Sequence, residues 1–513
     1  MFKRAFLSFL SHFPSTKQRW QLYFKIAVPI VFSGILVSFN GFIDNFMVTN
    51  ISGGVAALSF ANSYTGIITG IIISINIIGT AIFGQYRGSS NKKDKDIEVI
   101  RARYIICLAF VLAFFAIIWI SPEFFISSVA KKDSKGDQEQ YLNILNQATD
   151  YIKIVSFSWI LTGITFTSVS LLRETGNGSI SFYISLAALG ANIVLNLTLI
   201  PHYGVVGSAW ATIASGIATL IMSFIFIWFK ARRYFFKVHL LFKVSKEIWN
   251  HFFKRIPSFI LSSTSFLFVS VRTFLWASAF KIGSLGEGEY KNIWGLGSGD
   301  ILGITASLTN IFTSAFGVIG ANIALFVGAK LGNNEFEEAK KNAKELKGFH
   351  AVLAMCLSSM FAIIIIFIPL MSFLAGGLEH GVEQKLKDAG KLSPEQIKTQ
   401  VEMAKSYYLK EIQLTCISIA VFNPMWIYFA TSIRIIDSGG KTNLTAIIQF
   451  LISVLQMAWL ALIVYLMVPG HIETFRYPMG FFYFIFFISD FVKMIAFEIM
   501  YQKIHWTKNI TQH

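Results

Sequence analysis

Residues 351–374 read AVLAMCLSSMFAIIIIFIPLMSFL, with no charge anywhere in the stretch. A bilayer core about 30 Å thick is crossed by about 20 mostly apolar helical residues, so this block spells a membrane-spanning helix. Outward from it in both directions the pattern recurs, as in Ile105–Ile120 and Leu220–Phe229 with the runs beside them. These blocks are apolar all round, whereas a transmembrane barrel strand alternates over about ten residues. The whole chain agrees: 54% of its 513 residues are hydrophobic and 14% are charged. An ordinary soluble chain carries roughly a quarter charged residues, a gap too wide for a large soluble core to explain.

Spans are expected near 24–48, 56–84, 104–124, 151–172, 180–200, 205–229, 256–280, 301–327, 349–375, 412–436, 444–468 and 478–501. The net charge of +16 falls in particular connections, which points to membrane orientation and away from nucleic acid. Basic residues crowd the leading tail (Lys3, Arg4, Lys17, Arg19, Lys25) and the connection after the second span (Arg87, Lys92, Lys93, Lys95, Arg101, Arg103). They do so again after the sixth span, from Lys230 to Arg255, and after the eighth, from Lys330 to Lys347. Thr49–Val55 and Ile200–Gly207 contain none, and acids match the lysines of Ala375–Glu411. Both termini are therefore expected in the cytoplasm, with an even number of spans. Cys107, Cys356 and Cys416 lie in apolar blocks and form no disulfide or metal pattern. Met1–Trp20 reads as an uncleaved tail.

The two halves repeat. Pro29 answers Pro257, Gly84-Gln-Tyr-Arg-Gly88 answers Gly328-Ala-Lys-Leu-Gly332, Pro122 answers Pro369, and Arg173 with Gly178 answers Arg434 with Gly439. The offsets grow from 228 to 261 residues, and two insertions, Gly283–Gly299 and the connection between spans nine and ten, account for most of the drift. An even number of spans per repeat keeps both halves in one orientation. The expected fold is therefore an all-α polytopic membrane protein of about twelve transmembrane helices, in two six-helix lobes related by a pseudo-two-fold axis along the membrane normal. The divisions are a tail at 1–20, an N-lobe at 21–235, a basic linker at 236–255, a C-lobe at 256–502 and a tail at 503–513.

Asp44, late in the first span, is the sharpest functional signal. A carboxylate at bilayer depth costs about 2.5–3.5 kcal/mol and normally faces a polar cavity or a partner, which makes it a candidate for proton or cation exchange. The alternative is an inert, wet carboxylate near the outer interface. Asn40 lies one turn earlier on the same face. Arg272 stands fifteen residues after Pro257, as Asp44 does after Pro29, so the two are expected to face each other or Arg272 to receive an anion. Otherwise Arg272 snorkels or meets backbone carbonyls. Asn192 and Asn196 sit one turn apart in the fifth span and Thr212 lies in the sixth, as ligands or as simple interhelical hydrogen-bonders. Asp490 and Lys493 read as a structural pair, and Arg173, Glu174, Arg434 and Asp437 as anchors at helix ends. Phosphate-binding glycine loops, catalytic triads and metal-ligand spacings are absent, so the chain does not read as an enzyme.

At Gly41-Phe-Ile-Asp44, Gly53-Gly-Val-Ala-Ala, Leu172-Arg173 with Gly176, Asn192-Ile-Val-Leu-Asn196 and Gly204-Val-Val-Gly-Ser-Ala-Trp-Ala-Thr212, the chain resembles the multidrug and toxic compound extrusion (MATE) family of cation-coupled exporters. The resemblance runs over about residues 21–500. It implies a V-shaped pair of six-helix lobes and a first-helix carboxylate, here Asp44, that binds a proton or sodium ion. It also implies an asparagine and a threonine beside that carboxylate, which Asn192 and Thr212 match. The acid some members carry one turn after the asparagine is Asn196 here. The seventh-helix glutamate of some members falls on Ser265, and the tenth span has Asn423 at its centre and no acid. Coupling is thus expected to rest on Asp44.

The expected function is export of organic, chiefly cationic, compounds by a proton- or sodium-coupled antiporter, the proton favoured. The alternatives are a lipid-linked precursor flippase and a non-transporting membrane scaffold. Expected partners are a small-molecule substrate and the lipid bilayer, with no nucleic acid and a monomeric state. No cofactor is expected beyond the coupling ion, H+ or Na+. Richness in Phe, Ile, Lys and Asn suggests an AT-rich bacterial genome, and the expected location is a bacterial plasma membrane.

Overall fold

A computed structural model describes residues 12–48, 51, 54–92, 94–129, 138–235, 237–281, 283–390 and 392–512. Among these, eleven helices are long and apolar enough to cross a membrane. The remaining expected span is the 24-residue helix Ile256–Ala279. The spanning helices are numbered in chain order. The first six are α1 (Lys17–Met47), α2 (Gly54–Gly88), α3 (Lys95–Ile120), α4 (Gln138–Glu174), α5 (Gly178–Tyr203) and α6 (Val205–Lys230). The second six are α7 (Ile256–Ala279), α8 (Ser298–Gly332), α9 (Phe336–Leu370), α10 (Pro394–Ser438), α11 (Thr442–His471) and α12 (Pro478–Lys503).

The repeat is visible in the packing. In the first lobe α1 packs on α5, α4 on α6, α3 on α4 and α2 on α4. Six helices later α7 packs on α11, α10 on α12, α9 on α10 and α8 on α10. Large apolar side chains on the outside, among them Ile120, Phe229, Leu370 and Leu466, are exposed as no water-facing surface of comparable extent would be. They form the lipid-facing belt of a membrane protein.

Three features depart from the sequence reading. The stretch between spans nine and ten is not a plain connection: it holds the helix Gly376–Asp388 and the opening turns of α10, whose Ser393 accepts a hydrogen bond from Gln396 N and starts a helix of 45 residues. At 1.5 Å per residue α10 is about 68 Å long, so its leading third stands beyond the bilayer. Arg103 and Lys347, counted among loop cations, are buried inside helices, and Lys347 pairs with Glu498 of α12. The described part of the closing tail, up to residue 512, packs against the lobes: Asn509, Ile510 and Thr511 are buried.

The lobes meet at the end that carries the basic connections, called the basic end below. There α2 crosses α8 where α8 opens into a wider turn at Ala324–Gly328. Gly88 and Gly332 let the two backbones touch, and a Cβ on either would overlap a carbonyl oxygen of the other helix, Ala329 or Gln85. Gln85 ties the crossing together. Its Nε2 donates to Ser438 O at 2.6 Å and Lys508 O at 2.9 Å, and its Oε1 accepts from Ile510 N at 2.7 Å. On the far side Arg19 pairs with Glu345, which also accepts from Tyr23.

The short helix Lys246–Phe253 lies outside the spans, at the same end. Its His251 is buried against Tyr86, with ring centroids 5.7 Å apart. Burial, reinforced by neighbouring Arg255, pushes its pKa down to about 4. The unfolded chain has this group near 6.5. The fold therefore binds fewer protons, and the contribution of neutral His251 is present above pH 6.5 and lost as pH falls toward 4. Thermal unfolding of the purified protein at pH 7.5 and pH 5 should show a smaller loss in His251→Gln than in the native chain. An identical loss in both would refute this assignment.

Candidate functional site

Asp44 lies in the last turn of α1, yet it is only 8% exposed. That disposes of the wet-interface reading. The α1 helix packs along α5, and the i, i+4 spacing of Asn192 and Asn196 points both side chains at it. Asn196 Nδ2 donates to Asp44 Oδ1 at 2.6 Å and to Asn192 Oδ1 at 3.0 Å. Thr212 of α6 stands beside the same carboxylate, with its hydroxyl returned to Ser208 O at 3.0 Å. Tyr151 of α4, which the sequence did not single out, is the carboxylate's fourth neighbour. Four helices of one lobe therefore converge on a single acid.

Hydrogen bonding there is incomplete. Among the described residues, Asn40 Oδ1 and Asn196 Oδ1 are buried without partners. A buried polar atom left unpaired costs about 1–3 kcal/mol, so the site retains polar capacity for a small guest. Asp44 and the amide oxygens are oxygen ligands of the kind that hold a proton or a hard cation. No cluster of three or more His, Cys, Asp or Glu side chains occurs among the described residues.

A cavity of about 380 Å³ opens beside the acid inside the same lobe, lined among others by Asn40, Ser158, Thr165, Thr212 and Arg173. That size suits a small organic molecule. A second cavity of about 230 Å³ lies between the lobes and shares Phe166, Arg173 and Gly317 with the first.

Arg272 does not join Asp44. Its guanidinium stands 5.7 Å from the ring of Phe486, within the other lobe. The side chain of Ser265 lies outside those described. Asp490 and Lys493 form the expected pair at 2.9 Å, with Trp426 and Gln456 completing a closed network.

Of two further buried acids, Glu174 reads in the sequence only as an anchor at a helix end, and Glu411 is not singled out there. Glu174 is fully buried and doubly bound to Arg103, at 2.8 and 3.1 Å, with Thr80 and Ser170 also donating to it. Asn76 Oδ1 holds the rest of that guanidinium. Glu411, taken for the end of a connection, is buried in α10 and accepts from Met479 N at 3.2 Å, Gly480 N at 2.8 Å and Tyr407 at 3.0 Å. It thereby caps the first turn of α12. The signal was present as Tyr407 and Glu411 at i, i+4 ahead of an apolar run.

The MatE family profile matches residues 29–198, the segment that carries Asp44, Asn192 and Asn196. Over that segment the chain is similar to the MatE family. Among curated relatives, the probable multidrug resistance protein YoeA of Bacillus subtilis (strain 168) is 21% identical over 334 residues, which is 63% of this chain and 66% of that protein. Among solved structures, an outward-facing multidrug resistance MATE family transporter of the MOP superfamily is similar with a TM-score of 0.67 at 16% identity, covering 94% of this chain and 96% of that one. A MOP superfamily transporter from Pyrococcus furiosus Vc1 (DSM3638) is similar with a TM-score of 0.66 at 16% identity, over 94% and 96% of the two chains. The two-lobed MATE fold is thus shared over nearly the whole chain. The Asp44 site belongs to the lobe that the family profile covers, whereas Arg272 and Glu411 belong to the other.

Proposed function

We propose that this chain is a MATE-type transporter that exports organic compounds by ion-coupled antiport, with Asp44 as the group that binds the coupling ion. The observation that carries the reading is a buried carboxylate held by three neighbouring helices beside a cavity of drug-like size. The proton is the favoured ion, because one acid and two amides offer a single charge and no ring of carboxylates. The basic end is cytoplasmic by the positive-inside effect, in the plasma membrane of a bacterium like that of its curated relative. The arrangement in hand, with the lobes closed at that end, is then one terminus of an alternating-access cycle.

The test is flux into proteoliposomes under an imposed proton or sodium gradient, comparing the native chain with Asp44→Asn. Gradient-driven flux should fall at least tenfold in the variant, while downhill exchange without a gradient persists. Equal gradient-driven flux in both proteins would overturn the assignment.

A further inference from the structure

Among the described residues, one arginine in the N-lobe interior forms no ion pair with a carboxylate, although the Glu174 charge lies near it. Arg173, in the last turn of α4, lines both the 380 Å³ cavity and the inter-lobe space. Its only side-chain partner among the described residues is a hydroxyl, Ser33 Oγ at 2.8 Å, and its buried Nε has none. The acids close by are committed elsewhere. Glu174, its neighbour in sequence, is held by Arg103, and Asp437, across the inter-lobe space, pairs with Arg434 at 3.1 Å.

The internal repeat makes the omission informative. Arg434 is the counterpart of Arg173 in the second lobe, and it carries its own counter-ion one turn on, at Asp437. The position one turn on from Arg173 is Gly176. One lobe thus pairs its arginine directly with an acid one turn on, and the lobe with the large cavity does not. A guanidinium is always charged and presents a planar fork suited to two oxygens of one anionic group. Leaving it unpaired in a largely apolar cavity is costly unless a guest supplies the oxygens.

Building on the reading of the chain as a transporter, we propose that the N-lobe cavity receives an organic compound through a carboxylate, sulfonate or phosphate group bound by Arg173. Asn40 and Thr212 line the same cavity, and Asp44 stands behind Thr212, outside the lining itself. The rest of such a compound would lie along the neutral polar groups Asn40, Ser158, Thr165 and Thr212.

The test is equilibrium binding to the full chain in lipid nanodiscs without any gradient, so it does not depend on whether Asp44 couples flux. The probes are radiolabelled naphthalene-2-sulfonate and the cation 2-naphthylmethylammonium, alike in size and opposite in charge. Arg173→Gln should weaken sulfonate binding by roughly ten- to hundred-fold, the range for losing hydrogen bonds to a charged group. It should leave the cation within about twofold, and Arg173→Lys should restore most of the sulfonate binding. Unchanged sulfonate binding in Arg173→Gln would overturn the proposal. So would an equal loss of both probes, which marks a role in shaping the cavity, or a failure of the lysine variant, itself folded and monodisperse, to recover the sulfonate.

Discussion

Arg103→Ala is expected to be the most destabilising single substitution in the first lobe, by about 3–5 kcal/mol. The side chains of Arg103 and Glu174 are both fully buried, and the carboxylate takes two of its hydrogen bonds from the guanidinium. Removing the arginine leaves an ionised acid inside the lobe, with the hydroxyls of Thr80 and Ser170 as its remaining side-chain donors, and takes two donors from Asn76 Oδ1. The penalty comes chiefly from the stranded charge rather than from the lost pair. That distinction is testable, because Arg103→Met combined with Glu174→Gln removes both charges and should recover most of the loss. Thermal unfolding in detergent is the readout. A double variant no more stable than Arg103→Ala would mean that packing, not charge, dominates.

Residues 95–120 show why such a pair was hard to read. Arg101 and Arg103 stand two apart at the start of an apolar run, and a basic residue there is ordinary at a membrane interface. Only the third dimension separates them: Arg101 reaches Lys243 O at the surface, while Arg103 turns in toward Asn76 and Glu174. The spans themselves were legible because length and hydropathy are set by the bilayer, whatever the neighbours. Asp44 was legible for a related reason. A charge at that depth demands a partner, and Asn192, Asn196 and Thr212 were polar groups at comparable depth in other helices.

The match of Arg272 to Asp44 failed for a reason in the helix starts. Counting fifteen residues from a proline assumes that both prolines hold the same place. Pro257 opens α7, whereas Pro29 lies well inside α1, which begins at Lys17. Proline is tolerated at a first turn and, in a membrane, within the helix, so the residue alone does not fix the register. The long start of α10 was missed because its charges balance. Its apolar positions Ile397, Val401, Ala404 and Tyr408 nevertheless repeat at helical spacing, and all pack into the second lobe's core.

Gly88→Ala is expected to keep the lobes from closing at the basic end while leaving each lobe folded. A methyl there would overlap the backbone of Ala329 on α8, and a backbone cannot rotate aside as a side chain can. The helices must separate, and the crossing then loses the three hydrogen bonds that Gln85 makes to Ser438, Lys508 and Ile510. At about 1 kcal/mol each these amount to about 3 kcal/mol, a shift of about a hundredfold in the balance between closed and open. The change can be read with a single reporter, Ala324→Cys in the inter-lobe cavity, on a chain whose exposed Cys356 is replaced by Ser. A membrane-impermeant maleimide added at the basic end should label Cys at 324 slowly in the native background and at least tenfold faster with Gly88→Ala. Gradient-driven flux should fall by a similar factor, because a transporter that cannot close one side cannot complete its cycle. Slow labelling together with normal flux in the variant would show that the α2–α8 crossing is incidental, and the closure at the basic end would then have to rest on Arg19 and Glu345.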